Sequence, residues 1–150
     1  MHTLVKSLIA GAAGTSALNL ASYLDMAVRA RGASSTPRRA VARLSDLAGV
    51  SLGEGERADH RKEALGALLG YTTGAGAALC YGLLTSRRRP PCPAGVLALT
   101  ALAMTGSNAP LTALGVTNPR EWPASAWVSD LLPHLAYGVT AYAAYELLRS

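Results

Sequence analysis

Polar and hydrophobic positions along this chain are sorted into long blocks. No charged residue occurs between Lys6 and Asp25, between Glu63 and Arg87, from Pro90 to Pro119, or from Leu131 to Tyr145. A helix needs about 20 mostly apolar residues to cross the hydrocarbon of a bilayer. The second interval meets that length directly, and the third contains a full crossing. The first meets it when the helix runs past Tyr23, and the fourth when the uncharged stretch WPASAWVS, Trp122 to Ser129, is added. A soluble bundle would show charged outer faces at helical period, and these intervals carry none. The pattern predicts an all-α protein: one domain, an integral membrane bundle of four transmembrane helices. The spans are expected at about 4–29, 64–86, 94–114 and 126–148, with a polar loop at 32–63. The N-terminal stretch also has the lysine, apolar run and small residues of a secretory signal peptide. Its apolar run is diluted by Gly, Ser and Thr and holds Asn19, so a retained first helix is expected.

Within the second block, GALLGYTTGAGAALCYG puts Gly66, Gly70, Gly74, Ala78 and Gly82 at every fourth position, one slowly drifting row on a helix. An interior Gly costs roughly 1 kcal/mol relative to Ala in a water-exposed helix. In lipid, where the tails are as apolar as Leu, small residues let backbones approach and packing drives association. The row is therefore read as a helix-packing seam, whose partner is either another helix of this chain or another copy. The first helix carries two similar rows, Ala10, Gly14 and Leu18 beside Gly11, Thr15 and Asn19.

The polar loop opens with SSTPRRAVARLSDLAGV. Ser35 or Thr36 can cap a helix with Pro37 at its start. Val41, Leu44, Leu47 and Ala48 then share one face, and Arg38, Arg39, Arg43 and Asp46 the other. Such a short basic amphipathic helix lies at the headgroups of anionic lipid, or else packs as a solvated helix on the end of the bundle. The following GEGERADHRKE is expected to be a flexible approach to the second span, with His60 on the surface. Asn108 and Pro110 should end or kink the third span. Trp122 and Trp127 have the character of interfacial anchors.

A shift of 64 residues lays LLGYTTGAGAALCYGLL over LPHLAYGVTAYAAYELL, matching Gly74 with Gly138 and Tyr81 with Tyr145. If that match is a repeat, the chain is a duplicated helical hairpin, with its second and fourth spans running in the same direction.

Composition changes this picture little. Arg outnumbers Lys twelve to two in an Ala- and Gly-rich chain without Phe, the signature of a high-GC bacterial genome. The net charge of +5 comes from residues flanking apolar runs, without the interleaved aromatics of a base-stacking surface, so nucleic acid is not an expected partner. Cys80 and Cys92 have no metal-ligand spacing and do not suggest a disulfide framework. Cys80 is expected to be a small packed side chain.

The best candidate chemistry is Asp130 and His134, one turn apart on the last span, since a carboxylate beside an imidazole suits proton transfer. With Asn19, Asp25 and Asn108 they form a candidate intramembrane polar or proton site. The plainer alternatives are an Asp25–Arg29 ion pair closing the first helix, and Asp130 as an acid favoured at a helix N-terminus. A variant of the polar reading groups Asn19, Tyr23 and Asp25. Two ligands at this spacing do not make a metal site, and no cofactor-binding or catalytic motif occurs. No metal, cofactor or catalytic residue is expected.

The layout resembles the small, uncharacterised bacterial inner-membrane proteins of the YagU type. The resemblance rests on the small-residue first helix, the segment TPRRAVARLSDLAG, the Gly/Tyr helix and the pattern His134-Leu135-x-Tyr137-Gly138. It implies a membrane fold and brings no reaction with it. The expected setting is a multi-pass protein of the bacterial plasma (inner) membrane, with the lipid bilayer and a homo-oligomer or membrane-protein partner as contacts. The positive-inside rule puts the long loop in the cytoplasm by total of basic residues and the Arg87–Arg89 turn with both termini there by density; the amphipathic basic helix tips the expectation to a cytoplasmic long loop. Two functions follow. One is a non-enzymatic packing or self-association module, or accessory subunit, acting through the glycine row. The other is a small transporter or proton-linked permeation unit lined by the intramembrane polar residues.

Overall fold

The computed structural model describes residues 2–149. Its helices are α1 (Thr3–Arg29), α2 (Thr36–Ala48), α3 (Gly55–Leu84), α4 (Cys92–Ala113) and α5 (Ala124–Leu147), and a short 3-10 turn, Pro119–Glu121, precedes α5. The described residues contain no strand.

Three of these helices, α1, α3 and α4, are long and apolar enough to cross a membrane. Helix α5 is not among them. Its 24 residues give sufficient length, but Asp130, His134, Glu146 and three tyrosines make it less apolar. Two boundaries also move. The GEGERADHRKE stretch is not a flexible approach: from Gly55 onward it forms the first turns of α3, where Ala58 is buried. Pro110 neither ends nor breaks α4, which continues to Ala113. Its missing N–H removes one bond, to the carbonyl of Gly106, while its own carbonyl still accepts from Leu114 N–H at 2.9 Å.

Helices α1, α3, α4 and α5 form a ring with α1 against α3 and α5, and α4 against the same two. Ser7 meets Gly82 while Ser16 meets Tyr71, so α1 and α3 are antiparallel. Tyr142 packs at Gly95 and His134 at Ser107, so α4 and α5 are antiparallel too. The diagonal pair α3 and α5 runs parallel, and two α5 tyrosines reach across the centre. Tyr137 Oη donates to Gly74 O at 2.5 Å, and Tyr145 Oη to Gly82 O at 3.4 Å.

The interior holds small and hydroxyl-bearing residues, and the large aliphatic residues face out. Ala10, Gly11, Gly14, Thr15, Gly74, Ala78, Thr100, Gly138 and Ala141 are buried, with Leu99 as the large aliphatic residue of the core. Outside are Leu20, Leu24, Val28, Leu68, Leu97, Leu132 and Val139, all more than half exposed. A belt of that size on a water-soluble monomer would be an aggregation liability, whereas facing lipid it is the ordinary arrangement.

The seams are closed by glycines set against hydroxyl groups. A Cβ on Gly74 would run into Thr15 Oγ1 and lie 3.4 Å from Gly11 O. On Gly138 it would run into Thr100 Oγ1 and lie 2.7 Å from Val96 O. Both threonines donate four residues back along their own helices, Thr15 to Gly11 O at 2.8 Å and Thr100 to Val96 O at 2.9 Å. Each hydroxyl is satisfied before it reaches the partner helix, so it can sit flush on a glycine. Ser7 on Gly82 and Tyr81 at Gly95 also set a hydroxyl against a glycine, but these two buried hydroxyls have no hydrogen-bond partner among the described residues.

The glycine row thus faces helices of its own chain. Gly74, Ala78 and Gly82 are buried towards α1 and α5, and Gly66 lies against Pro37 of α2. Gly70 is outside the seam, exposed with nothing within 4 Å of where its Cβ would stand. Helical drift explains this, because four residues overshoot 3.6 per turn and α2 takes over the neighbouring position at Gly66. Cys80, expected to be packed, is exposed, and so is Cys92; both are free thiols.

Helix α2 stops at Gly49, whose φ of 64° is a left-handed value that favours glycine. Gly49 N–H donates to Asp46 O and Val50 N–H to Ser45 O, which satisfies the last carbonyls.

Candidate functional site

Three of the five candidate polar residues meet between α4 and α5. Asn108 Nδ2 donates to Asp130 Oδ2 at 2.8 Å. His134 Nδ1 lies 2.7 Å from the Asp130 carbonyl oxygen and 3.5 Å from Asp130 Oδ1. His134 Nε2 lies 3.3 Å from Ser107 Oγ. The imidazole is 8% exposed. Its place follows from helix geometry: Asp130 and His134 are one turn apart, so both project toward α4, where Ser107 and Asn108 are adjacent. His134 stands ten residues into α5, about 15 Å along the axis.

This arrangement fixes the tautomer. A carbonyl oxygen only accepts, so in the neutral ring Nδ1 carries the hydrogen and Nε2 offers a lone pair to Ser107. The Ser107 hydroxyl has other acceptors within reach, Ala103 O at 3.0 Å and Met104 O at 3.1 Å. When Nε2 takes a proton it can donate to Ser107 Oγ, while the serine hydrogen turns to one of those carbonyls. Neither state leaves a ring nitrogen without a partner.

The other two candidates are elsewhere. Asp25 pairs mainly with Arg31, Nε to Oδ2 at 2.6 Å, and more distantly with Arg29 at 3.5 Å. Arg31 lies beyond the helix end, so the expected Asp25–Arg29 pair is secondary to one that i,i+4 spacing does not reveal. Arg29 reaches across to α5, donating to Ser129 Oγ at 2.6 Å, one residue from Asp130. Asn19 is partly exposed on α1 with no side-chain hydrogen bond among the described residues, and Tyr23 is exposed. Asn19, Tyr23 and Asp25 therefore do not assemble into a site. Sequence reasoning missed Ser107 and Arg31. Ser107 had a signal, since it adjoins Asn108 in an otherwise apolar span.

At the same end of the bundle Trp122 and Trp127 pack edge to face, centroids 5.1 Å apart, and Trp122 Nε1 donates to Thr117 Oγ1 at 2.9 Å. Arg38, Arg39 and Arg43 on α2 are exposed. At the opposite end Arg149 donates to Thr85 O at 2.8 Å and Arg88 O at 3.2 Å, tying the end of α5 to the α3–α4 turn.

Fold and site together define a class: an all-helical bundle with three helices able to cross a membrane, and an ionisable cluster inside it. The chain matches no protein-family model, no curated protein and no solved structure.

Proposed function

We propose that this protein is a multi-pass membrane protein of the bacterial plasma membrane in which α5 is the fourth crossing and the Ser107–Asn108–Asp130–His134 cluster takes up and releases a proton, making the bundle a small proton-linked permeation unit. Support for the fourth crossing comes from the position of α5, packed antiparallel to both α1 and α4 with Val139, Leu132 and Leu135 facing out. The resemblance to YagU-type proteins agrees with that setting.

The observation that carries the proton reading is the chemistry of His134: a buried imidazole with a partner for both nitrogens in either protonation state. Ionisable groups at such depth are costly and mark functional positions by default. The test is a flux measurement. The protein, reconstituted in liposomes with an entrapped pH-sensitive dye, should dissipate an imposed proton gradient, and His134→Ala should abolish that flux while Asp25→Ala leaves most of it. Equal flux from wild type and His134→Ala would end the proposal.

A second reading, the packing or accessory subunit, keeps one observation in its favour. The glycine row is occupied internally, but an outward groove of about 470 Å³ between α3 and α4 is lined by small residues including Thr73, Gly76, Cys80 and Gly106. Oxidative cross-linking of Cys80 between copies in the membrane would support association there, and its absence under conditions that oxidise Cys80 would count against it.

A further inference from the structure

Helix α2 begins where the apolar part of α3 begins. Pro37 lies against Gly66, whose Cβ would stand 3.0 Å from Pro37 Cβ, and Glu63 is the last charged residue before Arg87. Over its first two turns α2 stays on α3, burying Ala40 and Val41. The same face then comes free. Leu44 is 40% exposed and Leu47 62%, and Val50, just past the helix end, is 57%. The chain stays near α3 beyond the helix, Arg61 Nη1 donating to Leu52 O at 2.8 Å, yet Leu44, Leu47 and Val50 form an apolar face that nothing in the bundle covers.

Its flank carries Arg38, Arg39 and Arg43, exposed, and none of their guanidinium groups is hydrogen-bonded or ion-paired among the described residues. Beside the starting point the outward residues of α3 are Leu65 and Leu68, so the apolar face of α2 continues the lipid-facing belt of the bundle. An apolar face joined to that belt and flanked by unpaired guanidinium groups is complementary to an anionic lipid surface. Lipid tails would take the leucines and phosphates the arginines.

We infer that α2 is a membrane-surface anchor, with Leu44, Leu47 and Val50 at the boundary of headgroups and acyl chains and Arg38, Arg39 and Arg43 on the phosphates of anionic phospholipid. This does not depend on proton uptake at His134.

The test places an environment-sensitive fluorophore at Leu47→Cys in a Cys80→Ala, Cys92→Ala background, in nanodiscs of phosphatidylcholine with or without phosphatidylglycerol. With phosphatidylglycerol, the emission should be blue-shifted and quenched by nitroxide-bearing lipid. A probe at Asp46→Cys should stay accessible to aqueous iodide. Replacing all three arginines by Gln should reduce the lipid quenching severalfold, since each arginine near an anionic surface contributes about a fivefold change in partitioning. A position-47 probe quenched by iodide equally in both lipids would overturn the anchor. So would a blue shift that depends on protein concentration and not on phosphatidylglycerol, which would assign the face to a second copy.

Discussion

In the hairpin of α1 and α3, Gly74 lies under Thr15, and in that of α4 and α5, Gly138 lies under Thr100. The glycines are 64 residues apart and the threonines 85, and in each case the carbonyl four residues before the threonine completes the contact. Applying the same offsets to the polar cluster gives a different result. Asp130 corresponds to Gly66 and His134 to Gly70, while Ser107 and Asn108 correspond to Ser22 and Tyr23. One hairpin thus packs its seam with no carboxylate or imidazole at the equivalent place, and the other holds a partly buried carboxylate and a buried imidazole there. Packing does not require Asp130 or His134. What the second hairpin carries in excess of the first is the candidate site.

The comparison is most sharply broken at the glycines. Gly74→Leu and Gly138→Leu should each destabilise the bundle by about 3 kcal/mol or more, read as loss of the thermal unfolding transition in detergent. Gly70→Leu, on the same nominal row, should change stability by less than about 0.5 kcal/mol. Tolerance of Gly138→Leu alongside collapse of Gly74→Leu would show that the two seams are not equivalent.

At the cluster, Ser107→Ala removes the hydroxyl that serves both states of His134. Proton flux in liposomes should fall about tenfold, corresponding to about 1.4 kcal/mol, while the unfolding temperature moves little. Across the centre, Tyr137→Phe deletes the short bond to Gly74 O and should cost about 0.6–1 kcal/mol, against a smaller loss for Tyr145→Phe, whose bond is 3.4 Å. Equal losses would mean that the hydroxyls do not set the α3–α5 diagonal. The smallest effect is expected from Arg29→Gln, which leaves Asp25 with Arg31 and should change stability by less than about 0.5 kcal/mol.

Much of this was legible in the chain. Uncharged runs placed α1, α3 and α4 because hydrocarbon imposes length and apolarity on any helix that crosses it. The extent of α3 was not legible, since a mixed-charge stretch reads alike as linker or exposed helix until Ala58 is seen to be covered. The partner of the glycine row was also hidden: periodicity states that a face is small and says nothing about what fills it. Asp130 and His134 could be paired by i,i+4 spacing, and their link to α4 required the fold. Asn19 could not be sorted from Asn108 because both are single amides in apolar spans, and only the rotation of each helix decides which one meets a partner.

The most direct measurement is the ¹⁵N NMR spectrum of the His134 imidazole in lipid bilayers as the pH is lowered. The arrangement at Asp130 and Ser107 predicts a neutral ring with its hydrogen on Nδ1, converting to a ring protonated on both nitrogens while the bundle stays folded. A neutral ring protonated on Nε2, or one that gains its second proton only as the helices come apart, would contradict a proton-exchanging site in this bundle.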